Sequence, residues 1–548
     1  MAWKNDIRIV VSIDFGTTYS GFAYAHKQNP EFIINDTWPD VIGSIKTNTV
    51  IQYETGYKKV KAWGLPALAP RPRKRQRFFD YRPVERFKLH LGNLPDSEKP
   101  KLPENLNYEK VIADYLEEIV QLIKDTVNTR WPNVDFFENV LIVLTVPAEY
   151  SEQSKLILRE CMFNARLIDH QKSEKLQFTT EPEAAAIHCL SVLEEHCLTD
   201  DGISFLTVDC GGGTVDLTTR KVLPDKRLGE ITERTGDFCG STFIDEEFIK
   251  FMKFKVGESA MNLLEQQRYG QFQYMVQEFC RRVKLPFTGN KKDFKTFELD
   301  IEEVCPALKQ YITGKEKEIL EKNDWIIDLT FEDVKAMFDP VIQRIIDLIS
   351  NQIRYGSAFT IMFLVGGFSE SKYLQSWIKD TFGYIKIISV PKQPQAAVLR
   401  GALQYGLRMD VIQTRVLKYT YGIEIESSFN EAIDPVNLKV DDNYIFKFYR
   451  LVERGRQVDI NESFGDIFLP LENATKLRFS LYISKNLNET YCEGLEKLGE
   501  LIVDMPDTRL GKDRPVEFRI MFGRMEITAT AKNNVTGQQY EANFKLEF

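Results

Sequence analysis

No apolar run in the 548 residues approaches the ~20 that a helix needs to cross a bilayer, which excludes an enzyme that spans the membrane by such helices. Cysteine is scarce and scattered: eight residues with no C-x-x-C pair. That pattern fits reduced thiols in the cytosol and excludes a disulfide framework or a structural zinc site. Only five histidines occur, and none pair at metal-ligand spacing. His188 and His196 share one helical stretch, where packing explains them better than a metal does. Any metal chemistry must therefore rest on carboxylates. The common phosphate motifs are missing too. No G-x-x-x-x-G-K-[ST] is present, so this is not a P-loop protein. Asp14-Phe15-Gly16 spells the protein-kinase D-F-G, but no H-R-D loop precedes it, and the match is coincidence. No G-x-S-x-G elbow appears. Basic charge is in deficit, with 71 Lys plus Arg against 80 Asp plus Glu and a net charge of −9. That balance argues against nucleic acid or an anionic membrane as partner.

What is present reads as folded protein, 43% hydrophobic and 28% charged, long enough for three or four ordinary domains or two large ones. The amino-terminal apolar stretch is too short for a signal-peptide core and is stopped by Asp14, so it reads as a strand. Two segments resemble each other: Ile9–Gly21 (IVVSIDFGTTYSG) and Phe205–Thr218 (FLTVDCGGGTVDLT). Each is an apolar β-branched run, an Asp, a Gly-rich turn with Thr, and a return to apolar residues. Their aspartates lie 195 positions apart. A glycine-tipped hairpin lets a ligand approach the backbone closely, and its repetition implies a duplicated fold with two facing halves. Asn139–Val146 is a buried strand, Ser151 caps a helix, and Glu181 opens a helix rich in small residues from Ala184 to Ala186. Thr360–Val365 is a further strand, ending in Gly366-Gly367. Strands alternating with helices give an α/β class. After about Arg408, alternating strand-like runs from YGIEIE to ANFKLEF replace helices and describe an all-β module. The expected domains are 1–408, a linker at 409–418 and a β module at 419–548. Arg71–Arg77 (RPRKRQR) is a basic cluster, read as a solvated loop rather than an import signal.

The chemistry follows from the hairpins. Two tips rich in Gly and Thr supply N–H and hydroxyl donors suited to phosphate oxygens. Asp14 and Asp209 at the strand ends would repel phosphate unless a hard cation such as Mg²⁺ lies between. Asp216 and Glu181 are acidic candidates for ordering a water. The reading is a nucleoside triphosphate with Mg²⁺.

The ordered set DFGTTYSG, TEPEAAAIHCL, VDCGGGTVDLT, LVGGFSESKYLQ and QPQAAVLRGALQYG resembles the nucleotide-binding domain of the seventy-kilodalton heat-shock chaperones. Those proteins share the actin-like ATPase fold. The shape looks most like the family's divergent cytoplasmic twelfth-member branch. The resemblance implies a duplicated actin-like ATPase domain with two lobes around a cleft, then a β-sandwich; the family's helical lid is expected to be missing, since the chain ends at Phe548 directly after the last strand. It implies ATP or ADP with Mg²⁺ as ligands, ATP hydrolysis to ADP and phosphate, and a cytoplasmic location with the nucleus as the alternative. Unfolded or peptide-like clients and J-domain and nucleotide-exchange co-chaperones are the partners it implies.

By the same resemblance, Gly16, Thr17, Thr18 and Tyr19 form one phosphate hairpin, and Gly211, Gly212, Gly213 and Thr214 the other. Asp14 and Asp209 anchor the Mg²⁺ shell. Lys88, Glu181, Asp209 and Asp216 make up the catalytic set, with Lys88 offsetting charge on the transferred phosphoryl group. Gly240, Ser241, Glu278, Arg281, Arg282, Gly366, Gly367 and Ser369 frame adenine and ribose. Gln395 replaces an acidic residue usual in the family. Arg415 and Lys418 replace a leucine run in the linker, which implies weak docking of the linker onto the α/β domain. Two alternatives stand beside the ATPase: a non-hydrolysing nucleotide-gated scaffold and a small-molecule kinase of the same superfamily.

Overall fold

The computed structural model describes residues 6–72, 82–195, 198, 200–355, 359–440, 444–524 and 526–543. His196, most of the Arg71–Arg77 cluster and the last five residues of the final strand-like run lie outside them. The chain is mixed α/β.

The two hairpins seed two sheets of matching topology. In the first, Ile9–Phe15 pairs antiparallel with Tyr19–His26 and parallel with Val140–Val146, which pairs parallel with Leu176–Thr180. In the second, Ser204–Cys210 pairs antiparallel with Val215–Leu223 and parallel with Ile361–Val365, which pairs parallel with Ile387–Ser389. The apolar continuity of these strands matches their position, since strands covered on both faces need no polar alternation. All seven residues of Ile9–Phe15 and of Val140–Val146 are buried.

A helix at Glu181–Glu195 and a second at Ala397–Leu407 fill the space between the sheets. Their core joins Val10 and Val143 of the first sheet to Phe205 and Phe363 of the second. The run Ala184–Ala186 permits this close approach. A Cβ added at Gly401 would stand 1.6 Å from the carbonyl oxygen of Ala184, so the helices touch backbone to backbone. Separate apolar cores cover the outer faces of the two sheets.

Beyond Thr420 the expected strands form two four-stranded antiparallel sheets. They share one core that includes Ile423, Phe479 and Val503 from one sheet and Phe518, Ile520 and Ala529 from the other. Arg514 is buried beneath this module and donates to the carbonyls of Gly511, Ala474, Met505, Leu471 and Glu472.

The segment expected to dock weakly is tightly held. Ile412–Val416 is a strand of the second large sheet, parallel to Arg227–Glu230 on one side and antiparallel to Gln457–Asp459 on the other. Arg415 donates to Glu183 Oε1 at 3.0 Å and to the carbonyl of Phe522 at 3.3 Å. Lys418 pairs with Glu149 at 2.7 Å and Arg454 with Glu233 at 2.9 Å. The arginine and lysine that replace the family's leucine run, from which weak docking is expected, each find a carboxylate far along the chain, Glu183 and Glu149.

Candidate functional site

The two glycine-rich tips meet. A Cβ on Gly212 would lie 2.3 Å from Thr18 Oγ1, and one on Gly213 would lie 2.6 Å from Thr17 Oγ1. Neither position has room for a side chain, which accounts for glycine there better than backbone freedom does. Around this contact one cleft is lined by Asp14, Gly16–Tyr19, Lys46, Lys88, Glu181, Asp209, Gly211–Thr214, Gly366, Gly367 and Gln395.

The acidic residues arrive from four elements. Asp14 and Asp209 lie near the C-terminal ends of the first strands of their hairpins, opposite Gly21 and Asp216 in register. Glu181 opens the small-residue helix. Burial, then the nearby Glu181, Asp216 and Asp14 carboxylates, holds the Asp209 carboxyl well above its ordinary range. Burial, then Glu181, pushes Asp216 up to about 7, although the backbone N–H of Ala148 donates to its Oδ1 at 2.9 Å. Burial raises Glu181 against the opposing charge of Lys88. These directions express one cause: several carboxylates share a dry cleft with too few cations.

The cations are Lys88 and Lys46. Lys88 is buried in a short 3-10 turn, and its Nζ donates to Glu181 Oε1 at 2.7 Å. Lys46 Nζ donates to Asp14 Oδ2 at 2.6 Å. Sequence reasoning missed Lys46, because nothing in its neighbours marks it; its reach is set by the register that puts Gly21, against which its stem packs, opposite Asp14.

Other expected residues stand behind the cleft rather than on its lining. Ser241 and Thr242 donate their backbone N–H groups to the carbonyls of Gly211 and Gly212, and Gly240 donates to Gly213, so this turn braces the second tip. Ser369 is buried and its hydroxyl donates to the carbonyl of Val365. Glu278 accepts from both Arg281 and Arg282, which form one cluster of ion pairs beside the cleft. Asp216 stands behind the second tip, against the Pro147–Glu149 turn.

Hard carboxylate oxygens suit a magnesium ion, which keeps several waters and needs only one or two protein ligands. Among the described residues no group of three or more His, Cys, Asp or Glu forms a metal cage. Asp209 fits the ion, because its buried carboxylate has no hydrogen-bonded cation among the described residues. Asp14 already holds the Lys46 ammonium.

Fold and site together define an α/β protein with a phosphate-suited cleft between two duplicated glycine-tipped hairpins. No family model matches the chain. Curated relatives do. The chain is 25% identical to human heat shock 70 kDa protein 12A over 97% of its own length and 90% of the relative's. It is 23% identical to human heat shock 70 kDa protein 12B over 98% and 90%. It is 21% identical to the chaperone protein HscA of Buchnera aphidicola over 78% of each. The resemblance to the seventy-kilodalton heat-shock family, and to its twelfth-member branch, therefore extends over nearly the whole chain. Among the described residues no helix is long and apolar enough to cross a membrane.

Proposed function

We propose that the chain is an ATP-binding, slowly ATP-hydrolysing chaperone-like protein of the cytoplasm, built as a two-lobed actin-like domain followed by a β-sandwich. In this reading residues 1–408 bind nucleotide, 409–418 link, and 419–548 hold an unfolded or peptide-like client. J-domain and nucleotide-exchange proteins would be its co-chaperones. The observation that carries the reading is the contact between the two tips, Thr17 and Thr18 against Gly213 and Gly212. A triphosphate lying along them would meet backbone N–H groups and hydroxyls from both sides. Gly366 and Gly367 would receive the ribose and adenine, with Gly240, Ser241, Ser369 and the Glu278–Arg281–Arg282 cluster behind them.

Magnesium, when bound with the phosphates, would neutralise part of their charge. Asp209 and Asp14 would hold it, Asp14 while still paired with the Lys46 ammonium. Lys88 would turn from Glu181 toward the γ-phosphate and stabilise charge developing there. Its departure leaves Glu181 free to orient a water. Asp216, with its carboxyl near neutrality, is suited to accept that water's proton. Calorimetric titration of ATP and ADP, followed by turnover on the same sample, tests the reading; absence of binding at millimolar nucleotide overturns it.

One observation favours a second reading, a nucleotide-gated scaffold that does not hydrolyse. The 2.7 Å pair between Lys88 and Glu181 neutralises both groups at once. A single-turnover measurement separates the two: slow product formation supports the ATPase, and none supports the scaffold.

A further inference from the structure

We propose that Lys46 is a built-in cation of the phosphate cleft, which neutralises Asp14 and lets the chain bind adenine nucleotide without a divalent ion. The inference rests on the nucleotide reading of the same cleft and concerns what that site requires.

The placement is constructed by the fold. Lys46 follows the turn after Val41–Ile42 and precedes Thr47–Asn48, which pairs antiparallel with Tyr19 and Ser20. The Ser44 hydroxyl donates to the Lys46 carbonyl at 2.6 Å and fixes the backbone. Asp14 lies opposite Gly21 in the hairpin register. A Cβ at Gly21 would stand 2.9 Å from the Ile45 carbonyl oxygen and 3.0 Å from Lys46 Cγ. The missing side chain at Gly21 is thus the channel through which the lysine stem reaches Asp14. At the end of that channel the two side chains are only 14% and 6% exposed, so the pair is little screened by solvent.

The charge balance gives the pair its consequence. Asp14, Glu181, Asp209 and Asp216 bring four carboxylates to the cleft or directly behind it, and Lys46 and Lys88 bring two ammoniums. A phosphate chain entering there needs positive charge at the root of the first tip, the position at which sequence reasoning set half of a magnesium shell. Lys46 already supplies one charge there, beside Thr17 and Thr18. Its three donors can serve Asp14 and a phosphate oxygen together. A divalent ion on the Asp209 side then adds to binding without being its condition.

The test is titration calorimetry of the full chain with a non-hydrolysable ATP analogue, in excess EDTA and in excess MgCl₂. The expected result for the unaltered chain is a Kd in EDTA within about threefold of that in Mg²⁺. Lys46→Met should weaken binding in EDTA by about tenfold or more, equivalent to about 1.4 kcal/mol, and Mg²⁺ should recover most of the loss. Lys46→Arg keeps the charge and should keep binding in EDTA, which guards against a Met variant that fails to fold. Binding of the unaltered chain only with Mg²⁺ overturns this inference and leaves the nucleotide reading standing. So does a folded Met variant that binds in EDTA like the unaltered chain. No binding in either buffer overturns both.

Discussion

Replacing Arg415 with leucine removes the charge that joins the strand Ile412–Val416 to the small-residue helix. Arg415 donates through Nε and Nη2 to Glu183 Oε1 at 3.3 and 3.0 Å, and through Nη1 to the carbonyl of Phe522. Glu183 is fully buried. Burial alone would raise its carboxyl, but Arg415, then Arg220 and Arg234, hold it down at about 2. Breaking a buried ion pair by deleting one partner costs about 3–5 kcal/mol. Arg220, 4.0 Å from Glu183 in the unaltered chain, is kept in the variant, so the lower figure of about 3 kcal/mol is the expectation. If the loss is felt as local opening of the strand, about 3 kcal/mol raises its opening constant by about 100-fold. Hydrogen exchange followed by mass spectrometry on peptides covering residues 412–416 reads this directly. A double variant, Arg415→Leu with Glu183→Gln, should exchange more slowly than Arg415→Leu alone, because the stranded carboxylate is gone. An increase below about threefold for Arg415→Leu would refute the claim that this pair, rather than strand pairing alone, holds the segment.

Four further expectations follow from the same geometry. Asp216 rises from 3.8 to about 7 on folding, so the native state binds more protons between those values; stability should fall as pH rises from about 4 to about 7, and Asp216→Asn should flatten that part of the melting-temperature profile. Lys88→Ala should lower ATP turnover by about 100-fold or more while calorimetric ATP binding survives, as expected on losing one positioned stabilising group. Gly401→Ala puts a methyl group where the Ala184 carbonyl lies and should lower stability by about 1–3 kcal/mol or more, read by thermal melting. Arg514→Lys should destabilise the carboxy-terminal module by about 2–3 kcal/mol, since an ammonium cannot reach five separate carbonyls; hydrogen exchange in residues 476–504 and 516–533 would report it, and exchange like that of the unaltered chain would reject it.

Much of the cleft was legible because its determinants are local. An apolar run, an aspartate, a glycine turn and a threonine lie within a dozen residues, and the strand–turn–strand geometry follows from that order. Repetition of the motif gave the duplication, and the two sheets repeat one topology over four strands. The strands of the carboxy-terminal half were equally visible through their alternation. What escaped was set by distant partners. Lys46 depends on a glycine across a hairpin register. Arg415 implies weak docking when read locally, because its partners, Glu183 and Phe522, lie 232 and 107 residues away. Gly240, Ser241 and Ser369 stand behind the cleft lining, where the backbone N–H groups of the first two and the hydroxyl of Ser369 donate to neighbouring carbonyls. A serine beside a glycine turn can face a ligand or bond the backbone, and local sequence does not distinguish the two.

The first turn of the Glu181–Glu195 helix joins the cleft to the strand Ile412–Val416. Glu181 points its carboxylate at Lys88 in the cleft, while Glu183, two residues on, pairs with Arg415 at the other side of the helix end. Pro182 between them fixes φ at a position where its missing N–H costs the helix nothing. Gly401 presses the Ala397–Leu407 helix onto Ala184 directly behind. This turn can therefore neither bend nor slide without disturbing both ion pairs. If a phosphate chain draws Lys88 away from Glu181, the freed carboxylate must find a new partner or water, and any shift of the turn that provides one is delivered to Arg415. Such a linkage should be reciprocal. Arg415→Leu should change ATP affinity as well as strand exchange, and ATP should change exchange across residues 412–416 in the unaltered chain. Finding one effect without the other would show that the two carboxylates share a helix turn and nothing more.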